Sequence, residues 1–197
     1  MTLLDELISA FCCLPGVGHK SAQRISLHLL ERNRKGGQHL ADVLAQAMKN
    51  IGNCEMCNTF SEEKTCRLCS NNSRQDDLLC IVETPMDVLA IEQSASFNGK
   101  YFVLMGYLSP IDGVTASDLG LDKLKQRLNK KIIKEIILAT NPTVEGEVTA
   151  EYIRSMARPL GILVSKIAYG VPLGGELGFT DQGTISHALL GRIPFNG

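Results

Sequence analysis

Four cysteines carry the sharpest chemical signal in this 197-residue chain. Cys54 and Cys57 form one C-x-x-C pair, Cys66 and Cys69 a second, and eight residues separate them. Each pair sets two thiolates on one side of an ion, and the second pair closes a tetrahedral shell suited to Zn²⁺. A shell of four thiolates leaves no open position for water or substrate, so the expected zinc is structural, one per chain. Four unrelated reduced cysteines are the plain alternative. A redox dithiol fits less well, because it needs one pair and the chain has two. Cys12, Cys13 and Cys80 complete the seven cysteines and are expected to be small core hydrophobes. An odd cysteine count in a chain this long argues for a reducing compartment rather than a secreted disulfide scaffold.

A second constellation is Leu14-Pro15-Gly16-Val17-Gly18-His19-Lys20-Ser21-Ala22, a glycine turn between two helical patterns. Glycine permits the tight turn and leaves amide N–H groups open at the start of the following helix. Those amides and the positive end of the helix can hold a phosphate. Lys20 and Arg24, four residues apart, fall on one helical face and could reach neighbouring phosphates. The small Ala22 lets the two helices approach. This pattern resembles the helix-hairpin-helix motif, and the resemblance makes Gly16, Gly18, Lys20 and Arg24 the candidate DNA-binding residues. The competing reading is an ordinary helix–helix turn with no ligand. His19 is expected to be an exposed loop residue rather than a catalyst.

A third constellation is acidic. The apolar run LLCIV leads into Glu83-Thr84-Pro85-Met86-Asp87. Glu at a strand end with Asp four residues later resembles the first motif of the Toprim domain of topoisomerases, bacterial primases and related nucleases. In catalytic members the Glu and a later D-x-D pair bind Mg²⁺, whose preference for hard oxygen ligands suits phosphodiester chemistry. Here EIILA leads into Thr140-Asn141-Pro142-Thr143-Val144-Glu145-Gly146-Glu147. With Gly146 at the glycine of D-x-D-x-x-G, Asn141 and Thr143 stand where the aspartates belong, and neither supplies an anionic oxygen. The expectation is a non-catalytic domain. Glu145 and Glu147 are nearby but off the motif. Taken alone, Glu83 reads as well as a carboxylate capping the next helix turn.

The elements around these residues fall into segments. Leu3, Leu4, Leu7, Ile8 and Phe11 predict an amphipathic helix over 3–12. A second helix is expected from His19 to Leu30, burying Ala22, Ile25, Leu29 and Leu30. A loop is expected over Arg34–Gly37, then a helix over Leu40–Ile51 with Leu40, Val43, Leu44, Ala47 and Ile51 facing the core. Residues 54–75 are polar and too poor in apolar anchors to fold on hydrophobicity alone. From Leu78 onward strands and helices alternate: LLCIV, a helix over 86–93, YFVLM, a helix marked by Leu121, Leu124 and Leu128, EIILA, a helix over 146–156, then ILVSKIA. That alternation predicts an α/β fold with a mostly parallel sheet flanked by helices. A short helix over Thr184–Leu190 ends the glycine-rich tail. The expected division is 1–53, a helix-hairpin-helix DNA-binding domain; 54–76, a four-cysteine zinc finger; 77–172, a Toprim domain; and 173–197, a tail for oligomerisation.

Charge is informative only locally. The net charge is −1, but residues 1–53 hold six basic against four acidic side chains, so a DNA surface belongs at the amino-terminal end. The start carries Asp5 and Glu6 where a signal peptide would be basic, and no apolar run reaches the ~20 residues of a membrane span. A cytoplasmic protein with no membrane partner is expected. Pro172-Leu173-Gly174-Gly175-Glu176 lacks the G-K-[ST] ending of a phosphate-binding loop, so ATP hydrolysis is not expected.

The order of the three constellations, with the stretches LPGVGHKSAQRIS, ATNPTVEGEVTA and YGVPLGGELGFTDQGTISHALLGR, resembles the RecR family of bacterial recombination proteins over nearly the whole chain. His19 departs from the family's proline, and Gly178, Phe179, Gln182 and Gly183 stand where the family is more acidic. The resemblance implies a non-catalytic recombination mediator in DNA repair, acting as a ring-shaped homotetramer that clamps single-stranded, duplex or gapped DNA. It implies RecO and RecF as partners, loading of RecA onto single strands coated by SSB, and association with the nucleoid during that work. Glu83, Asp87 and Glu145 would then serve partner binding. Two other classes remain open from the residues alone: a Mg²⁺-dependent Toprim nuclease or primase-like enzyme, and a zinc-dependent interaction module with no DNA role.

Overall fold

A computed structural model describes residues 1–194; the last three residues of the expected tail, 195–197, lie outside the described residues. The chain divides into two compact units, Met1–Ile51 and the part from Gly52 onward.

The first unit is three helices: α1 (Leu3–Phe11), α2 (His19–Arg32) and α3 (Arg34–Asn50). Helix α1 begins on a capping box, in which the Thr2 amide donates to Asp5 Oδ2 at 2.8 Å and the Asp5 amide to Thr2 Oγ1 at 3.2 Å. Helix α2 packs on α1 through buried Ala22 and Ser26, with Ile8 buried on the α1 side.

Three expectations are corrected here. Residues 34–37 are helical, not a loop: the Asn33 side chain accepts from the Gly36 amide at 3.0 Å and caps α3, which offsets the cost of two glycines in its first turn. The apolar stripe of α3, expected to face the core, is not buried within the first unit. Leu40, Val43, Leu44 and Ile51 are 44–54% exposed, because the two shorter helices are too small to cover it. Cys12 and Cys13 are exposed as well. They sit in the turn after α1, where successive side chains point roughly 100° apart and cannot both face inward.

The second unit opens with the cysteine segment: β1 (Gly52–Asn53) pairs antiparallel with β2 (Phe60–Ser61), followed by the single turn α4 (Arg67–Ser70). The α/β layer follows as β3 (Gln75–Val82), α5 (Pro85–Ser94), β4 (Gly99–Val103), α6 (Leu121–Leu128), β5 (Glu135–Ala139), α7 (Val144–Ala157) and β6 (Leu163–Lys166), with α8 (Gln182–Leu190) in the tail. The sheet is parallel throughout, in the order β4-β3-β5-β6. Alternate residues of β3 divide the core. Leu79 and Ile81 pack with Leu121, Leu124 and Leu128 of α6 and Ile153 of α7 on one face. Cys80 and Val82 pack with Val88 of α5 and Tyr101 and Val103 of β4 on the other. Both faces are covered, which is why these strands read as unbroken apolar runs. Cys80 is a core residue as expected, and burial pushes its thiol up to about 12.

The outer edge of β4 is covered. Its Val103 amide donates to Cys57 O at 2.8 Å, and the Asn58 side-chain amide donates to Val103 O at 2.9 Å. The cysteine segment thus occupies a strand edge that would otherwise invite another chain.

Candidate nucleic-acid interface and metal centre

The hairpin of the first unit is built from local geometry. The Val17 amide donates to Leu14 O at 3.1 Å, and Gly16 sits at φ +77°. Proline at the second position and a left-handed glycine at the third are the marks of a type II turn. Gly18 is the N-cap of α2 and supplies no side-chain cap, so the first amides of α2 lack a side-chain acceptor. Lys20 and Arg24 are both exposed on α2. His19, expected in the loop, is the first residue of α2 and exposed. The arrangement presents unfilled N–H donors and two cations from one turn and one helix face, the chemistry that receives a phosphate.

The acidic residues separate into different roles. Glu83, 3% exposed, directly follows the buried end of β3. Its Oε1 accepts from the Asn141 amide at 2.9 Å, and its Oε2 accepts from the Asn141 side-chain amide at 2.6 Å. The residue at an aspartate position of the metal motif therefore fills the Glu83 carboxylate with donors instead of joining it in an anionic pair. Gly146 is required beside them, since a Cβ there would lie 2.1 Å from Asn141 O and 3.0 Å from Glu83 Oε1. Thr143, at the other aspartate position, caps α7 by accepting from the Gly146 amide at 3.0 Å.

The helix after β3 is capped by Thr84 and Asp87 rather than by Glu83. The Thr84 amide donates to Asp87 Oδ2 at 2.7 Å, closing a capping box. Glu145 is half-buried in the first turn of α7, and its carboxylate makes no hydrogen bond among the described residues. Glu147 pairs with Lys166. Glu83, Asp87 and Glu145 do not converge as three metal-ligating oxygens; among the described residues only the cysteines form such a group.

The four cysteine sulfurs all lie within 4.8 Å of one another, and Cys57 and Cys66 Sγ are 3.5 Å apart. A tetrahedral tetrathiolate with metal–sulfur bonds near 2.3 Å has S···S edges of about 3.8 Å, so the group fits a closed four-sulfur shell. Cys54, Cys57 and Cys66 are buried and Cys69 is half-buried. The Cys66 amide donates to Cys54 Sγ at 3.3 Å, as amides do around bound thiolates. Hydrogen bonding from Cys57 lowers the Cys69 thiol, while the same contact raises Cys57. The cluster can bind a metal ion.

Residues that sequence reasoning missed hold this cluster in place: Asn58, Lys100 and Arg127. Asn58 takes a left-handed φ of 64°, which suits a knuckle turn. Lys100 immediately precedes the apolar run of β4, and Arg127 sits beside Leu128 at the rim of the buried face of α6. A cation next to a core position is the signal that could have marked both.

Three family models match the chain. One described as RecR, helix-hairpin-helix, covers residues 4–48. One described as Toprim domain covers residues 77–168. One described as RecR, C-terminal, covers residues 170–193.

Proposed function

The chain is a RecR-like protein, and we propose that it works without catalysis, as an oligomeric DNA clamp that acts with RecO and RecF to help load RecA on single-stranded DNA. The observation that carries this reading is the hairpin: open amides at the start of α2, with Lys20 and Arg24 exposed behind them. Gly16 and Gly18 shape the phosphate seat, and Lys20 and Arg24 supply the charge. The Glu83–Asn141 contact supports a non-catalytic Toprim domain, because the carboxylate that would lead the Mg²⁺ site already accepts two N–H donors.

The carboxylate end of the sheet serves partner proteins in this proposal. Glu145 presents its free carboxylate, while Glu83 and Asp87 hold the strand end and the α5 cap in shape. The metal is zinc, structural, held by Cys54, Cys57, Cys66 and Cys69. It would supply a rigid cross-link for a segment with little apolar surface of its own. The 1–53, 54–76, 77–172 and 173–197 segments act respectively as DNA-binding, cross-linking, partner-binding and assembly regions.

Assembly is supported by the uncovered α3 stripe, which a second copy would bury. A homotetrameric ring would sum several modest basic patches into one channel, giving a field that one copy lacks. The test is native mass spectrometry and DNA binding on wild type and Leu40→Asp/Leu44→Asp. The proposal predicts that loss of the oligomer weakens DNA binding by an order of magnitude or more. Unchanged affinity in a monomeric variant contradicts it.

A further inference from the structure

Each half of the cysteine cluster is gripped by one cation from the α/β layer. Arg127 on α6 donates from Nη1 to Met56 O, inside the Cys54–Cys57 turn, at 2.9 Å, and to Tyr101 O on β4 at 2.8 Å. Lys100 on β4 donates from Nζ to Cys69 O at 2.9 Å and Asn71 O at 2.8 Å, with Leu68 O at 3.4 Å. One cation therefore holds the first knuckle and the other holds the second.

Lys100 is only 5% exposed and forms an ion pair with the exposed Asp76 at 3.6 Å. Arg127 makes no ion pair among the described residues. Burying a guanidinium without a close anion is costly. With a divalent ion bound, the four thiolates would carry a net charge of −2 and would supply the anion that Arg127 lacks.

We propose that Arg127 and Lys100 form a cationic clamp on the metal centre, Arg127 offsetting its charge and Lys100 orienting its second knuckle, so that the α/β layer sets how fast metal leaves. This rests on the reading of the four cysteines as a zinc site. The same contacts tie the knuckles to the β4 edge, so loosening either cation frees metal and strand edge together.

The experiment uses the zinc-loaded full chain, with metal per chain measured by atomic emission and release followed with the chromogenic chelator pyridylazoresorcinol. Wild type is compared with Arg127→Gln, Arg127→Lys and Lys100→Met, each checked by circular dichroism. Arg127→Gln is expected to release zinc about 10–100-fold faster, and Lys100→Met about 10-fold faster, as partners behind metal ligands commonly require. Arg127→Lys keeps the charge and should stay within a few-fold of wild type, a rescue that lost packing alone would not produce. Wild-type release rates in folded Arg127→Gln and Lys100→Met overturn the clamp, as does Arg127→Lys releasing as fast as Arg127→Gln. If Arg127→Gln does not fold, Lys100→Met and Arg127→Lys decide: about tenfold faster release from Lys100→Met with slow release from Arg127→Lys supports the clamp, and wild-type release from Lys100→Met or fast release from Arg127→Lys refutes it. A wild-type chain that takes up no zinc refutes the metal reading instead, on a separate readout.

Discussion

Placing an aspartate at position 141 is the most direct probe of what the Glu83–Asn141 contact does to the Toprim carboxylate. In wild type the Asn141 side-chain amide lies 2.6 Å from Glu83 Oε2. Asn141→Asp replaces that donor with a carboxylate oxygen at the same place. The variant loses a hydrogen bond to a charged group, a loss of roughly 1.5–3 kcal/mol. It also sets two anions together, at about 4 kcal/mol for ~4 Å and an effective dielectric of 20. The pair escapes part of this by sharing a proton, so the net loss at pH 7 should be about 4 kcal/mol. One carboxyl of the new pair then has a folded pKa raised above its unfolded value. The penalty is full above the raised value and shrinks by at most about 1.4 kcal/mol per pH unit as pH falls. It is gone below the unfolded value, near pH 4. Mg²⁺ offers a second escape: at tenfold over its Kd it would return about 1.4 kcal/mol to the variant. Urea unfolding at pH 7 and pH 5, with and without Mg²⁺, reads all of these. An Asn141→Asp protein as stable as wild type at pH 7, or equal stabilisation of wild type by Mg²⁺, would refute the reasoning.

Other consequences are simpler to check. Gly146→Ala drives a methyl into Asn141 O at a 2.1 Å approach, and should destabilise the second unit by about 3 kcal/mol in urea unfolding. Cys54→Ser should drop metal content from one ion per chain to none by atomic emission and should expose the β4 edge to hydrogen exchange. In the native protein Cys12 and Cys13 should react with iodoacetamide while Cys80 does not, with peptide mass spectrometry identifying the sites; labelling of Cys80 at the same rate contradicts its burial. Asp5 is held below the ordinary carboxylate range by the Thr2 amide and hydroxyl. Its contribution to α1 should be full above its unfolded value and lost as pH falls through the depressed folded one. An NMR titration of the Thr2 amide from pH 5 to pH 2 follows that loss.

The metal cluster and the hairpin were legible because their signals are local: two C-x-x-C turns, and a proline and two glycines between helical patterns. The strands of the α/β layer were legible because both faces are buried, which leaves near-continuous apolar runs. Their ends were less so; β3 begins at Gln75 rather than Leu78, and β6 is confined to Leu163–Lys166. The start of α3 was misread because glycine propensity at 36 and 37 outweighed a cap supplied by one side chain, Asn33. The α3 stripe was assigned inward because periodicity shows that a face is apolar and not what covers it. Motif alignment did place Asn141 at an aspartate position. Its pairing with Glu83, 58 residues away, belongs to the meeting of β3 and β5 and has no signature in either segment alone. The same holds for Lys100 and Arg127, whose partners are backbone carbonyls that every residue carries.

The account rests most heavily on DNA entering at the hairpin. Fluorescence anisotropy on a gapped duplex, in Mg²⁺ across a salt series, should compare wild type with Lys20→Glu/Arg24→Glu. Salt-sensitive wild-type binding is expected, with the log–log slope reduced by about 0.9 for each lost phosphate contact and affinity down at least tenfold in the variant. Equal affinity and equal slope for the two proteins would contradict the account.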